Sequence, residues 1–221
     1  MTNKSEIDLE QAYSVETPED NVQLYGDWAA TYDSDFVASK GYVYHLHVVD
    51  QLAQHIAEIN GAVLDVGCGT GVVGVALQEK GIGVIDGIDI SPAMLAESAN
   101  KKTAAGNAVY RQLIRADLTK SIAIPDNHYG GLISSGTFTH GHLGPEALSE
   151  LWRVAAPGAV CVIGINARHY DLMGFGEKFA ADVANGNITS PEFSEIEIYA
   201  TAAGDADHGN DTALVAVCKT L

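Results

Sequence analysis

Basic side chains are scarce in this chain: 12 Lys and Arg stand against 29 Asp and Glu, a formal charge of −17 over 221 residues. That disfavours nucleic acid as a partner, because binding it needs a basic footprint that neutralises phosphates. The acid excess suits solubility, or a neutral or cationic small molecule. No run of 18 consecutive apolar residues occurs, so neither a transmembrane helix nor a membrane partner is expected. Met1 to Asp20 carries five acids before its last residue but no apolar core of a secretory signal, and a cytoplasmic location is the expectation. Cysteine is also rare. Cys68, Cys161 and Cys218 are odd in number, far apart and without C-x-x-C spacing, which excludes a disulfide framework or that kind of zinc site and leaves buried reduced thiols.

Apolar content is ample, at 47%, for one domain with a core. Residues 1–17 are acidic and without periodicity, and read as a loose arm. Thr17 and Pro18, followed by Glu19 and Asp20, have the form of a helix start. That helix carries Leu24, Tyr25, Trp28, Ala29 and Tyr32; a second fits Tyr42 to Glu58, and together residues 18–58 read as a helical lid. From 59 to 221 strands and helices alternate. Strands are expected at 62–66, 84–90, 109–114, 129–134 and 159–165. Helices are expected at 71–79, from Ser91-Pro92 to about 106, at 145–154 and near 171–184. Phe193–Thr201 and Thr212–Lys219 have no helix between them, only the polar stretch 204–211, and read as an antiparallel hairpin. The expected fold is α/β: a doubly wound, mostly parallel seven-stranded sheet with that hairpin at its carboxyl end.

The sharpest motif is Val63-Leu64-Asp65-Val66-Gly67-Cys68-Gly69-Thr70-Gly71, a strand running into glycine at every second position. Such a turn lets a ligand approach backbone unobstructed by Cβ atoms, and the following helix start favours a carboxylate or phosphate. Asp65 can accept from a ligand ammonium. Asp89, ending the second strand, can accept both hydroxyls of a ribose; Ile90 and Met94 can pack on adenine, and Asp117 can take the adenine amino group. A rival is the dinucleotide fingerprint Gly69-Thr70-Gly71-Val72-Val73-Gly74, with Asp89 20 residues beyond Gly69. It would make the chain an NAD(P)-dependent oxidoreductase. Against it, Asp65 would crowd the phosphates, and no Tyr-x-x-x-Lys pair exists to supply the usual acid/base.

These residues resemble the class I S-adenosylmethionine-dependent methyltransferases over about residues 22–221. Tyr25–Asp33 and Gly136–Pro145 more narrowly resemble the Williams–Beuren-region methyltransferase-like small-molecule subgroup. The resemblance implies transfer of a methyl group from S-adenosylmethionine to a small molecule, leaving S-adenosylhomocysteine. It implies that Gly67, Cys68, Gly69 and Gly71 line the methionine end, that Asp89 holds the ribose, and that Asp117 and Leu118 hold the adenine. It further implies that the Ser134 carbonyl receives the ammonium and that Tyr25 and Tyr32 touch the cofactor from the lid. Ser134-Ser135-Gly136-Thr137 departs from the Asn/Asp-Pro-Pro-Tyr/Phe segment of many amine methylating relatives. His140 and His142, after the fourth strand, are the candidate base or acceptor-orienting residues; no third side chain completes a metal site. Asn166, Arg168, His169 and Tyr170 follow the fifth strand, where Arg168 can meet a substrate carboxylate; His45 and Trp28 read as packing residues. The alternatives are the oxidoreductase and a non-catalytic S-adenosylmethionine-binding protein. No spacing points to an oligomeric state.

Overall fold

The computed structural model describes residues 17–200 and 211–221. The arm up to residue 16, and positions 201–210 with the hairpin connection, lie outside the described residues. Within them Thr17 does cap the first helix, α1 (Pro18–Trp28): its hydroxyl accepts from the Asp20 N–H at 3.1 Å while the Asp20 carboxylate accepts from the Thr17 N–H at 3.1 Å. A π-helical turn, Asp33–Ala38, follows. Helix α2 (Tyr44–Ala53) is shorter than its apolar periodicity suggests and gives way to a 3-10 turn at Ile56–Glu58. Val48, Val49 and Leu52 of α2 are fully buried, so this helix covers the sheet.

Strands β1 (Val63–Val66), β2 (Ile85–Asp89), β3 (Gln112–Arg115), β4 (Tyr129–Phe138), β5 (Ala155–Asn166), β6 (Glu192–Glu197) and β7 (Thr212–Lys219) form one sheet in the order β3-β2-β1-β4-β5-β7-β6. The first five are parallel; β7 runs antiparallel to both β5 and β6. Successive residues of the inner strands face opposite layers. Val63, Ile85 and Ile133 pack on α2 and α3 (Val72–Glu79), while Leu64, Ile88 and Leu132 face the layer of α5 (Leu148–Val154) and α7 (Phe175–Ala184). Winding reverses between β1 and β4, and the register sets Val66 level with Ile88 and Ser134. The carboxyl ends of three strands thus meet at the point where open α/β sheets receive ligands.

Several boundaries differ from the sequence reading. Helix α4 (Pro92–Asn100), capped by Ser91, stops six residues early, at Lys101 in extended backbone. The helix expected at 171–184 is two, α6 (Ala167–Met173) and α7, separated by Gly174 at φ +78°. Strand β3 starts later, β6 is shorter, and β4 runs on to Phe138 through an irregularity after Ser134 before pairing with Ile165.

A buried acid ties β2 to its surroundings. Asp86 is 1% exposed and receives Arg111 at 2.9 and 2.6 Å and the Tyr129 hydroxyl at 3.0 Å. Arg111 is nearly half exposed and can turn to water, but the buried Tyr129 hydroxyl cannot. Asp86→Ala is expected to lower the unfolding free energy by about 2 kcal/mol, the cost of an orphaned buried donor plus a lost charged bond. Urea denaturation checks this; an unchanged midpoint would show that the cluster contributes nothing net.

Candidate active site

The glycine turn is shaped by what lies under it. The Val66 carbonyl accepts from both the Ser134 and Thr137 hydroxyls at 3.0 Å. Gly67 and Cys68 then donate their N–H groups to the Ile88 carbonyl at 2.8 and 3.0 Å, folding the loop onto the end of β2. Gly67 has φ +68°, and a Cβ there would lie 2.0 Å from the Thr137 hydroxyl. The Gly69 N–H and the Ser91 N–H each donate to one oxygen of Asp89, at 2.9 and 2.8 Å. Each carboxylate oxygen keeps a lone pair for a ligand hydroxyl. Burial pushes the Asp89 pKa up, against the pull of these backbone donors.

Over this turn lies a roof of aromatic rings from α1 and the π-helical turn. Trp28 meets Tyr32 at 5.0 Å and Phe36 at 5.4 Å, and Phe36 meets Tyr42 at 5.0 Å. The roof is tethered to the loop through Asp33, which accepts from the Thr70 hydroxyl at 2.6 Å and pairs with Lys101. Between roof and sheet is a cavity of about 340 Å³, within the range of small-molecule sites. Among the described residues no Lys or Arg lines it.

Of the residues picked from sequence, Tyr25, Tyr32, Gly67, Cys68, Gly69, Asp89, Ile90, Met94, Asp117, Leu118 and His142 all line this cavity. Cys68 is buried with its sulfur 4.0 Å from the Ser98 hydroxyl, and burial raises its pKa well above the ordinary thiol value. Asp117 is already engaged by Thr119, at 3.0 and 2.6 Å, and by Lys120 at 2.8 Å.

Four others are not in the wall. Gly71 caps α3 at φ +92° and packs against Ser98 and Tyr110. Ser134, whose carbonyl the resemblance gives to the ammonium, is buried, and its hydroxyl donates to the Val66 carbonyl. Asp65 is fully buried and turned towards the Tyr110 hydroxyl, which donates to it at 2.6 Å. His140 sits with its ring 5.6 Å from that of His169, leaving only His142 at the cavity. Arg168 is also elsewhere, exposed and 3.8 Å from Asp211, whereas Asn166 caps α6 and lines the cavity.

The sequence reading missed Phe36, Tyr42, His45, Thr137 and Tyr199 as wall residues and gave Trp28 to packing. The spacing of Tyr25, Trp28, Tyr32 and Phe36 is helical and carried a signal; Tyr199, brought in from beyond β6, carried none.

Comparison with known proteins agrees with this architecture. Residues 64–163 match the family model described as a methyltransferase domain. Methyltransferase-like protein 27 of Homo sapiens is 29% identical over 144 residues, 64% of this chain and 56% of that protein. The chain thus spans little more than half the length of that relative. The match over residues 64–163 and the similarity to that relative support a class I S-adenosylmethionine-dependent methyltransferase. Among solved structures, the cyclase SpnF superposes with a TM-score of 0.67 at 16% identity, over 93% of this chain and 97% of that one. The CurJ carbon methyltransferase superposes with 0.60 at 16% identity, over 93% and 61%. At such identity these two speak for the fold alone.

The methyltransferase-domain match counts against the oxidoreductase reading, and the third glycine of that fingerprint has a packing role here. A Cβ on Gly74 would lie 2.4 Å from the Tyr110 ring, and its N–H donates to the Tyr110 hydroxyl at 3.1 Å. The same Tyr110 hydroxyl holds Asp65. Burial pushes the Asp65 pKa up to about 7; the Tyr110 bond opposes this and the Asp89 charge adds to it. A carboxyl whose folded pKa exceeds its unfolded value of 3.8 binds its proton more tightly in the native state, so its ionisation weakens the fold as pH rises from about 4 to about 7. The ligand-free Asp65→Asn protein should therefore gain stability relative to the parent across that window, read as a widening difference in urea midpoint. A constant difference would mean that Asp65 ionises at its ordinary pKa.

Proposed function

We propose that this chain transfers a methyl group from S-adenosylmethionine to a small uncharged or cationic molecule held in the roofed cavity. The observation that carries the reading is that the glycine-flanked loop at Gly67–Gly69, the Asp89 carboxylate and the aromatic roof all face one cavity with no Lys or Arg in its wall among the described residues. The residues fit the donor. Gly67–Gly69 offers backbone to its amino-acid end, Asp89 has lone pairs for ribose hydroxyls, and Ile90, Met94 and Leu118 form apolar walls for a flat base. When bound, the donor supplies an activated methyl on a sulfonium. The protein's share is to align the acceptor and exclude water, which the roof does. In this reading residues 18–58 are the lid, the acceptor is a metabolite and not nucleic acid or membrane, and the cytoplasm is the location, as the sequence suggests.

His142 is placed to take or hold a proton. Its Nδ1 lies 2.7 Å from the His140 carbonyl, which can only accept, so Nδ1 carries the hydrogen and donates it. That leaves Nε2 with a lone pair, 3.0 Å from the Tyr25 hydroxyl, which donates to it. Burial holds the His142 pKa below the ordinary 6.5, so the ring is neutral at pH 7 and can take a proton through the Tyr25 hydroxyl that occupies Nε2.

Calorimetry tests the donor. S-adenosylmethionine and S-adenosylhomocysteine should bind and NAD(P)H should not, while Asp89→Ala weakens both by at least about tenfold, the worth of one charged hydrogen bond. Binding of NAD(P)H alone would overturn the reading. Against a metabolite panel, His142→Ala should lower kcat roughly a hundredfold with donor affinity kept. In the parent, the acid limb of the kcat profile should fall below pH 6.5. Equal turnover by mutant and parent would make His142 structural, and donor binding without any turnover would leave a binding protein.

A further inference from the structure

His45 is the second residue of α2, 8% exposed, and lines the cavity beside the ends of β4 and β5. Its Nδ1 is buried and has no hydrogen-bond partner among the described residues. Buried polar atoms are almost always satisfied, and one left open in a cavity wall asks for a ligand or water to meet the ring. The imidazole lies flat on Tyr42, with ring centres 5.6 Å apart and planes 9° apart. Tyr42 in turn meets Phe36 at 5.0 Å and Tyr199 at 6.1 Å. This corner is built across distant parts of the chain. Tyr42 bridges to Tyr199, and the Val43 N–H donates to the Ile198 carbonyl at 3.0 Å.

We propose that this corner is a subsite for an uncharged, flat, ring-bearing molecule, oriented by a hydrogen bond to the His45 imidazole and walled by Phe36, Tyr42 and Tyr199. The proposal rests on the methyl-transfer reading above, in which that molecule is the acceptor.

Charge narrows the class. Among the described residues an anion would find no Lys or Arg in the cavity wall. A cation would find among them carboxylates only at Asp89 and Asp117, near the β2 and β3 ends, which already hold backbone donors or Lys120. Burial holds the His45 pKa at about 4 in spite of Asp33 nearby, with His47 also lowering it. The ring is therefore a neutral donor–acceptor at pH 7, a match for a hydroxyl or similar uncharged group. Flat aromatic walls favour a stacked ring over a flexible chain.

The test is calorimetry with three probes of similar size: 2-naphthol, phenyltrimethylammonium and 2-naphthoate. Each is titrated with and without saturating S-adenosylhomocysteine. The parent should bind 2-naphthol at least about tenfold more tightly than either charged probe. His45→Phe should weaken 2-naphthol roughly tenfold, the loss of about one hydrogen bond, with S-adenosylhomocysteine affinity unchanged as proof of folding. His45→Gln, which keeps a donor and an acceptor, should recover most of that loss. Should His45→Phe not fold, Tyr42→Leu serves, with an expected loss of about fivefold from removing the stacked wall. No 2-naphthol binding by the parent, tighter binding of the ammonium through cation–π contact, or parental affinity in the variants would overturn the subsite. Its failure is distinct from failure of the methyl-transfer reading. His45-dependent 2-naphthol binding without S-adenosylhomocysteine binding would remove that reading and keep the subsite; the converse would do the reverse.

Discussion

The close apposition of Gly67 and Thr137 is the constraint on which the site depends. The Thr137 hydroxyl reaches across to the Val66 carbonyl, and only a residue without a side chain, in left-handed backbone, leaves room for it. This contact joins the end of β1 to the irregular end of β4. Because Thr137 is held there, β4 continues to Phe138 and carries Ser135 to Thr139 into the cavity wall. Because Gly67 is held there, Gly69 comes within hydrogen-bond distance of Asp89, and the ends of β1, β2 and β4 share one cavity.

The roof is held differently. Asp33 links it to Thr70 and Lys101, but Asp33 and Lys101 are 39% and 26% exposed. A pair in that position contributes at most about 1 kcal/mol. Burial of Trp28 and Phe36, 4% and 7% exposed, is worth about 2 kcal/mol for each ring. The aromatic packing therefore closes the cavity, and the Asp33 tether fixes where it closes. Four of the rings that close it are also cavity wall, so the packing that stabilises the roof also sets the shape available to an acceptor.

The order of elements was legible in the sequence because alternating apolar runs and glycine turns are local signals. The placement of Asp89 and the loop at Gly67–Gly69 in one cavity wall was legible because it depends on neighbours within the same motif. What failed was what depends on contacts distant in sequence. Asp65 reads as a ligand contact until Tyr110, 45 residues away, is seen to hold its carboxyl. His140 and His142 are equivalent by spacing, yet His169 stands beside one and Tyr25 beside the other. His45 looks like a core histidine on an apolar helix, and only the meeting of Tyr42 with Tyr199 shows the corner it faces. The end of β4 shifted with a register change against β5 between Ser134 and Phe138, where Gly136 takes φ +79°.

A crystal structure with S-adenosylhomocysteine bound would show directly how the cavity holds the donor. The ribose hydroxyls are expected on Asp89, the amino-acid end over Gly67–Gly69, the adenine between Met94 and Leu118, and the sulfur facing the aromatic corner at Tyr42 and His45. A ligand lying outside the cavity, or one reversed so that adenine fills the aromatic corner, would contradict this placement.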